Sequence, residues 1–171
     1  MELDSRAADA GCFIEVVVLS AAVIDGMLRI GLILKHQLDA SVTEVLPELL
    51  YQGDADKAIP ERLIYDRARD ASIITSELHV TLNRLYDDRN RVVHRYVISS
   101  ITTQDVLDIA LRYEAAKREV TEAVSVLEAE QIRRGIGMTR EGGTPDLVSP
   151  LDFAAVKHGS DDLTRELRRQ R

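Results

Sequence analysis

The chain of 171 residues predicts an all-α fold, an up-and-down bundle of four to five helices. Three observations lead there. Ala, Leu, Glu and Arg are plentiful while alternating β-branched stretches are scarce. Apolar residues recur at helical spacing through long segments. Clusters of Gly, Pro, Ser and Thr punctuate those segments. With 45% hydrophobic residues, 4% aromatics and no Trp, one ordinary domain must build its core from aliphatic side chains.

Residues 5 to 38 read as a long first helix. Glu15, Ala22, Asp25 and Arg29 fall on one narrow line of it, with His36 at the edge, and nearly all else is apolar. Such a helix is buried on most sides, at the centre of a bundle or against a second subunit. Asp25 and Arg29 stand four apart and can pair. "SVTEVLPELLYQ" reads as a short second helix. Ser41 and Glu44 match a capping box, and Pro47 delays the start or kinks it. "GDADKAIP" is a loop, and Pro60 fits the first turn of the next helix. Glu61 to Val97 is helical with a bend between Ala71 and Ser76. "ISSITTQ" interrupts, and Thr102 or Thr103 caps a helix to Arg134 that buries Leu107, Leu111, Ala115, Val120, Val124 and Leu127. Beyond "RRGIG" the composition turns to Gly, Pro, Ser and charge. The chain thus divides into a helical domain, 1–134, and a flexible C-terminal tail, 135–171.

The net charge of -7 argues against a broad basic surface for duplex nucleic acid and leaves room for a local basic cleft. Cys12 is the only cysteine, so no intrachain disulfide or Cys-based zinc site is expected, and it reads as a small buried hydrophobe. Neither a metal nor a cofactor is expected. The start "MELDSRAADAG" lacks a basic leader, so the cytoplasm is the expected location. Glu15, Asp25, Arg29 and Lys35 interrupt the apolar run from Cys12 to Leu38 before the ~20 residues a membrane span needs.

"DDRNRVVHRY", residues 87 to 96, carries the chemistry. Leu78, Leu82, Leu85, Val92, Val93 and Tyr96 form its apolar stripe, and Arg89 falls in the middle. A charge there costs stability unless its stem lies along the stripe and its head reaches a wet opening. Asn90 and His94, four apart, share a flank. Arg84, Asp87, Asp88, Arg91 and Arg95 form a solvated face with pairs Arg84–Asp88 and Asp87–Arg91. Arg84, Arg91 and Arg95 are candidates for holding RNA phosphates.

Arg89 and His94 point roughly 140° apart on a straight helix. Either the helix breaks near residue 89, or two copies pack across a two-fold axis and bring the arginines and histidines of both into one cleft. Arginine clamps phosphate, histidine exchanges protons near neutral pH, and asparagine can orient an imidazole. That set suits metal-independent RNA cleavage. The 2′-hydroxyl attacks, His94 moves protons, Arg89 stabilises the phosphorane, and Asn90 orients or contacts substrate. In the structural alternative Arg89 pairs with Asp25 or Glu15 of the first helix, and His94 is a partly buried imidazole.

"RNRVVHRY" resembles the Arg-x4-His-x-Tyr motif of HepT-like members of the HEPN superfamily. Arg89 matches the motif arginine, Asn90 the polar residue after it, His94 the histidine and Tyr96 the tyrosine. The resemblance implies a small all-helical homodimer whose paired motifs form a ribonuclease site. It implies a toxin or defence role, often beside a nucleotidyltransferase antitoxin, and makes Tyr96 the candidate AMP acceptor. The rival is a non-catalytic helical dimer that binds a protein partner or a nucleotide-like ligand.

Overall fold

Six helices and no strand occur among residues 2–50 and 58–137, which the computed structural model describes. They are α1 (Glu2–Asp9), α2 (Phe13–Ala40), α3 (Pro47–Leu50), α4 (Glu61–Asp70), α5 (Ser76–Arg95) and α6 (Thr103–Arg134). The expected tail lies, beyond Gly137, outside these residues.

The first expected helix is in fact two. Gly11 takes a φ of 71°, in the left-handed region that glycine enters without a Cβ penalty, and the chain turns there between α1 and α2. Cys12 sits at that turn, partly exposed rather than buried. The next boundary also differs from expectation. Ser41, at φ 54° and ψ 42°, is the C-cap of α2, and its N–H donates to the Gln37 carbonyl. The Ser41–Glu44 capping box therefore does not form. α3 instead begins at Pro47, whose fixed φ and missing N–H suit a first helical position. The bend between Ala71 and Ser76 separates α4 from α5, with Ser72 at a φ of 57°. Thr75 caps α5 by accepting from the Leu78 N–H. Thr102 and Asp105 form a reciprocal capping box on α6.

Side-chain contacts fix the helix directions. Ser20 donates to Glu114 at 3.0 Å and Gln131 to Gln37 at 2.6 Å. The two pairs share one sequence offset, so α2 and α6 run parallel. Tyr113 donates to the Leu85 carbonyl and Tyr96 bonds Thr103, which makes α5 antiparallel to α6. Asp66–His79 at one end and Glu61–Arg89 at the other make α4 antiparallel to α5. α2, α4 and α6 thus run broadly one way and α5 the other. A strict up-and-down order does not describe this.

α2 packs against every other helix and most extensively against α6. Length and composition alone would let it cross a membrane, and 44% of its most apolar window is buried inside the protein. Ile24, Leu28, Leu82, Val120 and Val124 are fully buried between these elements. The helices approach closely at Gly31, where a Cβ would lie 3.2 Å from Val124 Cγ2 and 3.3 Å from Ile73 Cγ2. The buried face of α6 holds as expected at Val120 and Val124 and is rotated from expectation in the first half of the helix. Val106, Ile109, Ala110, Tyr113 and Ala116 face inward, while Leu111 is 60% exposed. The buried Tyr113 ring, tied to the Leu85 carbonyl, sets that rotation, and its i±3 and i±4 neighbours follow.

Candidate functional site

α5 runs unbroken through residue 89, and Arg89, Asn90 and His94 line one open cleft of about 500 Å³ within a single chain. Neither arrangement expected from sequence, a broken helix or a second subunit, is needed to bring them together. The 140° between Arg89 and His94 is the width of the lane they border, with Val93 and Asn90 along its middle. Val93, expected in the core, is 45% exposed and lies on the cleft floor. The opposite wall is α2. Val18, Ala22, Asp25 and Arg29, on or beside its expected polar line, face the cleft.

Arg89 is neither free nor sealed. Its Nη1 donates to Glu61 Oε2 at 2.5 Å, and its Nη2 to Asn90 Oδ1 at 3.3 Å. Its side chain remains 21% exposed. It also lies over the Tyr86 ring, 4.8 Å from the centroid, and Arg62 lies 4.5 Å from the same centroid. The structural alternative foresaw Asp25 or Glu15 as its partner, but the partner is Glu61. Asp25 is taken by Arg29, whose Nε donates to Asp25 Oδ2 at 2.7 Å. The two remaining Arg29 nitrogens reach the Leu49 and Ile59 carbonyls. Asp25 Oδ1 is buried and has no hydrogen-bond partner among the described residues.

Glu61 is the functional neighbour that sequence reasoning missed. It opens α4 directly after Pro60, where the helix dipole favours an anion. One oxygen takes Arg89 and the other accepts from the fully buried Tyr65 hydroxyl, one turn on. Burial, then the Glu61 charge and hydrogen bond, push the Tyr65 pKa far up, so it stays a neutral donor. For Arg89, burial pulls the pKa down, but the Glu61 hydrogen bond and charge outweigh it and the net shift is upward. The guanidinium stays charged. The string Pro-Glu-x-x-x-Tyr was the available signal, but nothing local in it points to residue 89.

Asn90 gives its oxygen to Arg89 and not to His94. The His94 side chain is exposed and makes no hydrogen bond or ion pair among the described residues. His94 and Asn90 form a ridge, because a second cleft, lined by Tyr86, Arg91 and Arg95, shares them from the other side. Arg84 is exposed and lines neither cleft. The expected pairs on the solvated face are replaced by others. Asp87 pairs with Arg62, and Asp88 takes Arg91 at 3.4 Å and Arg112 at 2.9 Å. Tyr96 lies apart from Arg89 and His94. Its hydroxyl meets Thr103 at 3.2 Å in a recess beside Cys12. No group of three or more His, Cys, Asp or Glu side chains converges as a metal site among the described residues. Comparisons with protein-family models, with curated proteins and with solved structures return no match.

Proposed function

We propose that this chain is a HEPN-type, HepT-like endoribonuclease that acts as a toxin or defence effector in the cytoplasm. One observation carries the proposal: Arg89, Asn90 and His94 line a single open cleft in which the imidazole is uncommitted. His94 takes the proton of the attacking 2′-hydroxyl or gives one to the leaving 5′-oxygen. Arg89, charged and held by Glu61, stabilises the phosphorane, and Asn90 contacts substrate through its free amide nitrogen. The products are a 2′,3′-cyclic phosphate (or 3′-phosphate) end and a 5′-hydroxyl end. No metal or cofactor takes part.

A second copy of the chain closes the mouth of the cleft in this proposal. Its support is exposed apolar surface: Val18, 43%, and Val93, 45%, in the cleft, and Val97, 93%, and Ile98, 82%, just after α5. Tyr96, away from the cleft, is the candidate AMP acceptor for a nucleotidyltransferase antitoxin. Such a gene next to this one is what the toxin assignment expects.

The experiment is cleavage of labelled single-stranded RNA by purified protein in excess EDTA. Wild-type protein is expected to cut. His94→Ala is expected to lose at least ~100-fold in rate while keeping its helical circular dichroism. Equal cutting by the mutant would reject the mechanism. One observation favours the rival, a non-catalytic binder of a nucleotide-like ligand: Glu61 already neutralises Arg89. Saturable nucleotide binding without any RNA cleavage would select it.

A further inference from the structure

The cleft that holds Arg89 carries no surplus of charge. Its two cations are matched by two carboxylates, Arg29 with Asp25 and Arg89 with Glu61. It cannot by itself draw a polyanion from solution. The surplus lies across the ridge. In the second cleft Arg95 has no ion-pair partner among the described residues, and Arg91, 58% exposed, has a 3.4 Å contact to Asp88 and the Asp105 carboxylate further off on its other side. Arg91 and Arg95 stand one helical turn apart, about 6 Å along the axis. Asp87, the acid on that wall, is taken up by Arg62.

Resting on the ribonuclease reading above, we infer that the Arg91–Arg95 cleft is a phosphate-holding subsite for the nucleotides that flank the cut. A single RNA strand crosses the Asn90–His94 ridge, with chemistry on one side and the electrostatic grip on the other. The two clefts share the ridge but open on its opposite flanks. A flexible strand can bend over that ridge, whereas a stiff duplex lying across it cannot enter both. The division also resolves how a chain of net charge -7 holds RNA: it needs a local pair of cations, not a basic surface.

The test is binding of a 12-nucleotide single-stranded RNA over a range of salt, measured in His94→Ala protein so that nothing is cut. Adding Arg91→Gln and Arg95→Gln is expected to weaken binding about tenfold or more near 0.1 M salt. The slope of log affinity against log salt should fall by about 1.4, two contacts at ~0.7 each. Arg91→Lys with Arg95→Lys should keep the slope. A charge-matched control, Arg67→Gln with Arg118→Gln, removes two exposed arginines elsewhere and should leave it unchanged. Equal loss in the control and the test variant, or no loss in either, overturns the subsite. The two proposals fail differently. Wild-type protein that cuts RNA while the Gln pair leaves the slope intact sinks the subsite alone. Protein that never cuts, yet loses its salt slope with the Gln pair, sinks the nuclease and keeps the subsite. Protein that neither binds nor cuts sinks both.

Discussion

Among the polar side chains buried in the described residues, two groups are handled differently. Where the C-terminal ends of α2 and α6 meet, Gln37 and Gln131 are fully buried. Gln131 donates to Gln37 at 2.6 Å, and the Gln37 amide donates to the Thr43 and Glu44 carbonyls. That cluster is built of neutral amides and carbonyls, and both glutamines are closed off from solvent. At the cleft, the Glu61–Arg89 pair is charged and keeps one edge open to solvent, with side chains 14% and 21% exposed. A neutral closed cluster locks register, here tying the parallel helices to the loop after α2. A charged pair costs desolvation that its mutual attraction barely returns. Under the proposed function its open edge is what the substrate phosphate meets.

The first way to break that comparison carries the largest expected effect. Gln131→Ala leaves a cavity and strips Gln37 of a donor, and should cost about 3–4 kcal/mol of stability by chemical denaturation. A loss under ~1 kcal/mol would mean that the glutamine cluster is not a lock. Second comes Glu61→Ala, which leaves Arg89 unpaired and the buried Tyr65 hydroxyl without its acceptor. Because Arg89 can swing toward the open cleft, about 2–3 kcal/mol is expected rather than the ~3–5 of a sealed pair. A Glu61→Ala loss larger than that of Gln131→Ala would reverse the ranking. The smallest effect sharpens the contrast with a surface carboxylate. Glu130 is held down to about 2 from an ordinary 4.5 by hydrogen bonds from Arg133 and then Arg134. The folded state binds that proton less readily than the unfolded chain. The stabilisation is complete above about pH 4.5 and disappears as pH falls toward 2. Glu130→Gln should flatten the pH dependence of thermal unfolding in that window and lower the unfolding temperature slightly at pH 7, where the stabilisation it removes is complete.

What the sequence made legible follows from how local each signal is. The boundaries at Ala71–Ser76 and at Thr102 were readable because turn and cap chemistry sits within a few residues. So was the Asp25–Arg29 pair, four apart on one helix. Ser41 misled because a serine one turn before an acid fits a start signal, while its left-handed backbone ends α2. Gly11 was read through because apolar spacing continues on both sides of it. The second half of α6 was legible, with Val120 and Val124 buried, but the face of its first half was misjudged because its leucines outweigh its alanines in hydrophobicity, yet Tyr113 fixes the rotation through a partner 28 residues away. For the site, the residue types and their helix were legible but their neighbours were not. Glu61 lies 28 positions from Arg89 and Arg62 lies 25 from Asp87. Helical spacing carries no information about such partners. The same limit explains the expected break near residue 89, which α5 does not have. Angles on one helix wheel measure how far apart two side chains start, not whether a facing helix encloses the sector between them.

The most direct measurement combines stability and RNA cleavage in one double variant, Glu61→Leu with Arg89→Met. If the charged pair is kept for use at the cleft, this protein should remain folded within about 1 kcal/mol of wild type, since apolar replacement of both partners leaves no orphaned charge. It should also have lost RNA cleavage. A double variant that unfolds like the Glu61→Ala protein, or one that still cuts RNA at the wild-type rate, would contradict the account.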